Sequence, residues 1–247
     1  MLKRSSLLLA MLAMMLLVPM AHAAKGDMSI TLKGGMGVPI SKLSDVPTAA
    51  DFPTTGAAKI HGLGTKAGFS GGAAFDYMVT DAIAVGADGS YTKADGKDEL
   101  NTVLKTNAFA GATSAKATGS LIEAGIHLKY MIPIQDSPMS PYLMVGGGFY
   151  SFKSKIEITP SPTNLKSPVE ATSNKFGGKV GGGIAYKATD KVGVGVEGVF
   201  NFFQFDKDEL SKKLTPTGGT APVVDVSSAS NIAVRAMVNF SLASSSK

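Results

Sequence analysis

Residues 118–132, TGSLIEAGIHLKYMI, contain the pattern that decides the fold. Every second position is apolar: Ile122, Ala124, Ile126, Leu128 and Tyr130. The alternate positions contain the charged residues and one glycine: Leu121, Glu123, Gly125, His127 and Lys129. A period of two places alternate side chains on opposite faces of an extended strand. The stretch therefore predicts a long strand with one apolar face and one face of small and charged residues.

Seven further segments repeat this alternation. They are residues 28–38, 65–78, 82–93, 141–152, 175–187, 191–205 and 230–242. All eight segments contain 11 to 15 residues, whereas strands of globular proteins usually have about five or six. A tilted strand needs about 9–11 residues to cross the hydrocarbon of a membrane. The sequence therefore predicts an all-β protein whose strands are long enough to span a bilayer.

The connections between the segments alternate in length. Three are short, at residues 78–82, 132–141 and 187–191, and four are long, at residues 39–64, 93–117, 153–174 and 206–229. Barrels of the outer-membrane type have short periplasmic turns and longer external loops. We therefore expect an eight-stranded antiparallel up-and-down transmembrane β-barrel with four long external loops and three short periplasmic turns.

Aromatic residues on the apolar faces fall at two levels. Near the short turns lie Tyr77, Tyr130, Tyr186 and Phe240, and near the long loops lie Phe69, Tyr91, Phe149, Phe176 and Phe200. From Phe176 to Tyr186 the chain advances ten residues, which in a tilted strand corresponds to roughly 25 Å, the height of the apolar band of such barrels. These residues are predicted to form the two interfacial aromatic girdles.

Charged residues on the opposite faces are predicted to line the lumen. They are Lys33, Glu123, His127, Lys179, Glu197 and Arg235. An isolated charge in a narrow lumen is costly, so these groups are expected to pair. Glu197 and Arg235 belong to neighbouring segments, and closure of the first strand against the last brings Lys33 close. Structural pairing is favoured because an eight-stranded interior is just wide enough for side chains to fill; the alternative is an ion gate closed by Glu197 and Arg235.

The N-terminus has the three parts of a secretory signal. Residues 1–23 contain Lys3 and Arg4, an apolar run over 7–18 and the small-residue sequence Ala21-His22-Ala23. We expect a signal peptide over 1–23, a barrel over 24–242 and a short tail over 243–247. Loss of Lys3 and Arg4 lowers the formal net charge from +5 to +3, which is too small and too dispersed to predict binding to nucleic acid.

The chain contains little that predicts catalysis. It has no Cys, which excludes Cys-ligated zinc and thiol chemistry, and its three His argue against a multi-His metal site. Residues 193–198 match G-x-G-x-x-G and residues 68–72 match G-x-S-x-G around Ser70. Both motifs need a helix to follow, but the strand alternation continues in each case. We therefore expect no enzyme activity, no cofactor and no metal.

Two of the long connections contain a similar short sequence. Residues 97–104 and 207–214 both have the form KDEL with a second Leu four positions later. This spacing places the two Leu on one side of a helical turn. The favoured interpretation is a pair of loop helices that cap the barrel mouth, and the alternative is a hydrophobic lip that admits an apolar ligand.

Several segments resemble a known family. Residues 140–148, SPYLMVGGG, and 190–197, DKVGVGVE, are similar to strand openings in the eight-stranded outer-membrane β-barrels of Gram-negative bacteria, of the OmpA/OmpX type or OmpW-like. The resemblance implies a location in the bacterial outer membrane, contact with outer-membrane lipid, and insertion by the barrel assembly machinery through an aromatic residue near the end of the last strand, here Phe240. It implies a non-enzymatic envelope structural or surface-interaction role with at most a narrow pore, and a loop partner that the sequence does not identify. The alternatives are an OmpW-like channel for small or hydrophobic solutes, a lipid-modifying enzyme, and a soluble secreted barrel.

Overall fold

Eight long strands close into one antiparallel barrel. The computed structural model describes residues 25–40, 44–51, 59–60, 62–103, 106, 113–134, 137–159, 168–204, 208, 212, 223–224 and 228–243. The barrel strands are β1 (Met28–Ile40), β2 (Gly68–Met78), β3 (Ile83–Asp95), β4 (Ser114–Met131), β5 (Met139–Thr159), β6 (Val169–Lys187), β7 (Val192–Gln204) and β8 (Ser228–Ala243). Each strand pairs with the next in the chain, and β1 pairs with β8. The predicted eight-stranded up-and-down barrel is confirmed.

The barrel wall is apolar outside and polar inside. On β4, Ile126 is 71% exposed while His127, the next residue, is 5% exposed, as the alternation over 118–132 predicts. Apolar side chains face outward on other strands too: Phe69, Val196 and Val234 are exposed on the outer surface. An apolar exterior is unfavourable in water and favourable in lipid. A closed barrel also suits lipid because the backbone polar groups of its wall are paired with one another.

Three strands extend farther than the sequence pattern indicates. The predicted strands over 118–132, 141–152 and 175–187 are in fact the 18, 21 and 19 residues of β4, β5 and β6. The predicted connection over 153–174 is therefore largely strand, since β5 runs to Thr159 and β6 begins at Val169. The added residues have polar outward side chains, so the strands continue by hydrogen bonding after the apolar alternation has ended.

The first and last short connections have the same local structure. In one, the backbone N–H of Ile83 donates to Thr80 Oγ1, and in the other the N–H of Val192 donates to Thr189 Oγ1, both at 3.0 Å. A hydroxyl that accepts from the backbone a few residues later stabilises a tight turn. The sequence pair Thr-Asp therefore closes both hairpins at this end of the barrel.

The opposite end is covered by folded segments of the long connections. Helix α1 (Asp98–Val103) matches the first predicted loop helix, and its Leu100 packs on Ala115 and Ala117 of β4. A two-residue strand at Lys59–Ile60 pairs in parallel with Val223–Val224, which joins the first long connection to the last. None of the helices within the described residues is both long and apolar enough to cross a membrane.

Some predictions fall on parts of the chain that the structure does not describe. The signal peptide over 1–23 and residues 244–247 of the tail lie outside the described residues, and so does most of the second loop helix over 207–214. These remain predictions.

Introducing a charged side chain tests whether the outer surface faces lipid. We expect Val234→Arg, which places a cation near the middle of the outward face of β8, to make folding into lipid less favourable by about 2–4 kcal/mol. The control is Ser151→Arg on the outward face of β5, opposite Ile122 at the edge of the apolar band, where the cost should be about 0–1 kcal/mol. Urea titration in liposomes, followed by heat-modifiable gel mobility, measures both. Equal effects at the two sites would contradict a lipid-facing outer surface.

Candidate functional site

One buried carboxylate, Glu197, contacts polar groups from three other strands. It lies on β7 directly opposite Arg235 of β8, whose Nε is 3.3 Å from Glu197 Oε1. That contact is an ion pair without hydrogen-bond geometry, since neither atom has a hydrogen-bond partner. Lys33 Nζ of β1 lies 3.0 Å from both carboxylate oxygens, and the Tyr142 hydroxyl of β5 donates to Oε2 at 2.9 Å. The side chains of Lys33, Glu197 and Arg235 are almost completely buried.

A second cluster surrounds His127 of β4. Its Nε2 is 2.6 Å from Asp76 Oδ1 on β2, and its Nδ1 is 2.9 Å from Asp88 Oδ1 on β3. Each ring nitrogen of His127 therefore has a carboxylate oxygen within hydrogen-bonding distance. Lys129 Nζ donates to the other oxygen of Asp76 at 2.6 Å.

Lys179 of β6 extends this cluster farther into the barrel. Its Nζ donates to Asp88 Oδ1 at 2.5 Å and to Glu123 Oε1 at 2.7 Å. The other oxygen of Glu123 accepts from the Ser90 hydroxyl at 3.0 Å. Each ionised group is therefore in contact with at least one group of opposite charge, as burial in a medium of low dielectric requires.

The two clusters meet at one cation–π contact. Lys129 Nζ lies 5.3 Å from the centre of the Tyr142 ring, while the hydroxyl of the same tyrosine bonds Glu197. The result is a single lumen network with one or more groups from each of the eight strands. Its members are Lys33, Asp76, Asp88, Ser90, Glu123, His127, Lys129, Tyr142, Lys179, Glu197 and Arg235.

Glycines in the wall leave room for this network. A Cβ at Gly86 of β3 would lie 2.6 Å from Asp76 Oδ1 and about as close to the His127 ring. A Cβ at Gly146 of β5 would lie 2.9 Å from Lys179 Cε. Because real Cβ atoms do not approach other atoms so closely, a side chain at either position would displace the ion pairs.

The lumen differs on the two sides of the network. Toward the long connections, a buried apolar cluster that we call the plug lies inside the barrel. It consists of Leu63, Leu121, Tyr150, Phe152, Ala171, Phe203 and Ala229, with the rings of Tyr150 and Phe203 stacked at 5.1 Å. Toward the short turns there is a cavity of about 540 Å³ that Met78, Met131 and Met237 help to line.

The six predicted lumen residues all face the interior, but they form two groups. Lys33, Glu197 and Arg235 lie together, and Glu123 contacts Lys179. His127 contacts Asp76 and Asp88, and neither of these is among the six predicted residues. The prediction did not include Asp76, Asp88, Lys129 and Tyr142. Asp76 and Lys129 lie on the inward faces of their predicted strands, so inward parity was the available signal.

The nine predicted girdle residues lie on the outer face. Eight are exposed and Tyr130 is half-buried. Phe149 and Phe176 contact each other edge to face, with ring centres 6.0 Å apart. Their interfacial role remains a prediction.

The two rejected motifs lie within strands. Residues 68–72 belong to β2 and residues 193–198 to β7. Ser70 is fully buried and accepts a hydrogen bond from the Thr92 hydroxyl at 3.0 Å. Within the described part of the chain, no three His, Cys, Asp or Glu side chains are arranged to hold a metal ion.

Removing Glu197 tests the first cluster. Glu197→Ala leaves Lys33 and Arg235 buried without their shared carboxylate, so we expect the free energy of unfolding to fall by about 3–5 kcal/mol. Val196→Ala, one residue away on the lipid face, is the control and should cost about 1 kcal/mol or less. Urea unfolding in micelles gives both values. A loss for Glu197→Ala no larger than the control would show that the cluster contributes little.

Adding a methyl group at a network glycine tests the second cluster. Gly86→Ala should destabilise the barrel by about 1–3 kcal/mol, because the new Cβ overlaps the His127–Asp76 pair. Gly198→Ala on the outer face, where a Cβ would meet nothing within 4 Å, should be neutral or slightly stabilising. The same unfolding assay applies, and a neutral result for Gly86→Ala would contradict the tight packing described here.

Comparisons with known proteins place the chain in a family. A family model described as outer membrane protein beta-barrel domain matches residues 6–241. Among functionally curated proteins, none matches significantly. Among solved structures, the neisserial surface protein A is similar at 16% identity and a TM-score of 0.44, covering 86% of this chain and 96% of that one.

Two further structures show similar values. OprG of Pseudomonas aeruginosa has 13% identity and a TM-score of 0.45, with 92% of this chain and 100% of that one covered. Outer membrane protein W of E. coli has 16% identity and a TM-score of 0.38, with 89% and 100% covered. The family assignment rests on the family model, which spans nearly the whole chain. The chain belongs to the outer membrane protein beta-barrel domain family, and its location is the bacterial outer membrane.

Proposed function

We propose that this protein is a non-enzymatic outer-membrane barrel with an envelope structural or surface-interaction role, and that its lumen is closed. The observation that supports closure most strongly is the lumen network, to which all eight strands contribute. An eight-stranded barrel leaves an interior that side chains alone can fill. Here charged side chains fill its middle and the plug fills the section above.

Closure by ion pairs is stable because opening them is costly. A solute that passed the network would have to separate Lys33 from Glu197 or Lys179 from Glu123, each pair nearly inaccessible to solvent. Breaking one partner away from a buried pair costs about 3–5 kcal/mol. Above these pairs, a polar solute would also have to displace Phe152 and Phe203 of the plug.

The absence of catalysis is supported by how the polar groups are used. His127, the one histidine within the described residues, has a carboxylate at each ring nitrogen, and Ser70 is bonded to Thr92. A general base needs a free nitrogen within reach of a nucleophile or substrate. The arrangement therefore favours a structural role for His127.

A surface role is supported by hydrogen bonds that join segments of the long connections above the barrel. Lys97 Nζ donates to the backbone oxygen of Ser44 at 2.6 Å, and the Lys97 N–H donates to Gly64 O at 2.7 Å. The N–H of Gly64 in turn donates to Asp45 O. Parts of the first two long connections are thus joined into a folded external surface, and ordering in advance lowers the entropy cost of binding a partner.

The alternative function is an OmpW-like channel for small or hydrophobic solutes. The cavity at the short-turn end favours it, because its volume of about 540 Å³ lies in the range typical of small-molecule sites. Such a channel would need a path from this cavity through the network or sideways through the wall.

Conductance in planar bilayers tests the closed lumen. Wild-type protein, with insertion verified by heat-modifiable gel mobility, is expected to give no stable current steps. Steady ohmic steps from the wild-type protein would contradict closure and favour the channel.

A pair of matched variants shows that the assay can detect opening. Glu197→Ala with Phe152→Ala weakens both barriers and should produce current steps. Val196→Ala with Phe149→Ala shortens outward-facing side chains on the same two strands and should remain silent.

A further inference from the structure

A row of polar side chains crosses the outer wall above the apolar band. Strand register places Lys93 of β3 opposite Ser120 of β4, and Ser120 opposite Lys153 of β5. All three lie on the outward face, with the two lysines exposed and Ser120 half-buried. Adjacent strands lie about 4.8 Å apart, so the two lysine backbones are separated by about 10 Å with the hydroxyl between them.

A shallow hollow lies in the apolar surface below this row. Tyr91 and Ile122, two residues lower on their strands, mark the edge of the apolar band. The hollow is formed one step farther down by Ala73, Gly89 and Ala124, which occupy one register row across β2, β3 and β4. A Cβ at Gly89 would meet only a backbone oxygen at 3.6 Å, so the surface there is open. On β5 the same row continues with Phe149, whose ring forms a raised side.

The two lysines are available to an anion. Among the described residues, no salt bridge involves Lys93. Lys153 pairs with Glu170 at 2.7 Å, but both side chains are more than 40% exposed. Exposed pairs of this kind contribute little and exchange readily, so Lys153 can turn to a stronger anionic acceptor.

We propose that Lys93, Ser120 and Lys153 bind the phosphate of an outer-leaflet lipid whose acyl chain lies in the hollow of Ala73, Gly89 and Ala124. A phosphomonoester offers acceptor oxygens to two ammonium groups and a hydroxyl at once. The vertical order of the parts also matches a lipid, with cations at the head-group level and an open apolar surface beneath. Basic side chains at the membrane surface attract anionic head groups in this way.

Native mass spectrometry of the purified full-length protein tests the proposal. The probes are lipid A, which carries phosphomonoesters, and its dephosphorylated form. We expect wild-type protein to retain lipid A and to bind the dephosphorylated lipid much more weakly. Lys93→Gln with Lys153→Gln should lower the affinity for lipid A about 25-fold, since each lysine near a charged head group contributes about fivefold.

Two controls separate the site from general electrostatics. Lys25→Gln with Lys191→Gln removes the same charge at the short-turn end, where both residues are exposed, and should leave retention unchanged. Gly89→Leu fills the hollow while keeping both lysines, and should lower the affinity several-fold. Heat-modifiable mobility verifies that each variant is folded.

The outcomes that would overturn the proposal are specific. Unchanged affinity in the Lys93/Lys153 variant would exclude the site, and an equal loss in the Lys25/Lys191 variant would indicate an effect of net charge alone. Competition by inorganic phosphate at concentrations similar to those of lipid A would show that the site binds phosphate and not lipid.

Discussion

The pairing of Glu197 with Lys33 and Arg235 is the contact on which the rest of the barrel depends. Three ionised side chains lie in the lumen without access to water, and each would be strongly destabilising alone. They satisfy one another only if β1 lies beside β8 and β8 beside β7, with Arg235 opposite Glu197. Because a shift of one residue would turn every inward side chain toward lipid, the ion pairs favour one register at the seam where the barrel closes.

The same constraint operates around the remaining strands. His127 joins β4 to β2 through Asp76 and to β3 through Asp88, and Lys179 joins β6 to β3 and β4. Tyr142 of β5 connects this group to Glu197. The network that stabilises the register also occupies the middle of the lumen. The cavity lies on its short-turn side and the plug on its other side. The closure that we propose would follow from these contacts, because the same side chains hold the wall together and occupy the lumen.

The architecture could be predicted from the sequence because a barrel wall imposes a simple repeat. Alternation along 118–132 and its seven counterparts separates lipid-facing from inward-facing side chains. Because the strands that contain Glu197 and Arg235 are consecutive in the chain, their pairing could also be predicted. The ends of β4, β5 and β6 could not be predicted in this way. In these extensions the outward side chains are polar, so the apolar outward alternation no longer marks the strand, and strand continuation there depends on pairing with neighbouring strands.

The complete set of contacts in the lumen network could not be predicted from the sequence either. Asp76 and Lys129 could be assigned to the inward face, but the height of an inward residue relative to other strands depends on the stagger of the barrel. That stagger brings His127 beside Asp76 and Asp88 and away from Glu197. Tyr142 belongs to the network because its ring and hydroxyl contact different partners, a relation that no spacing along one strand reveals.

The central claim, that the network seals the lumen, can be measured directly because the chain contains no cysteine. A single cysteine can be placed at Ser29, which lines the cavity at the short-turn end, or at Ser70, which is fully buried beyond it. A membrane-impermeant methanethiosulfonate reagent is then applied from each side of the folded protein in lipid. The account predicts rapid modification of Ser29→Cys from the short-turn side and no modification of Ser70→Cys from either side. Rapid modification of Ser70→Cys would show that the lumen is open and would contradict the account.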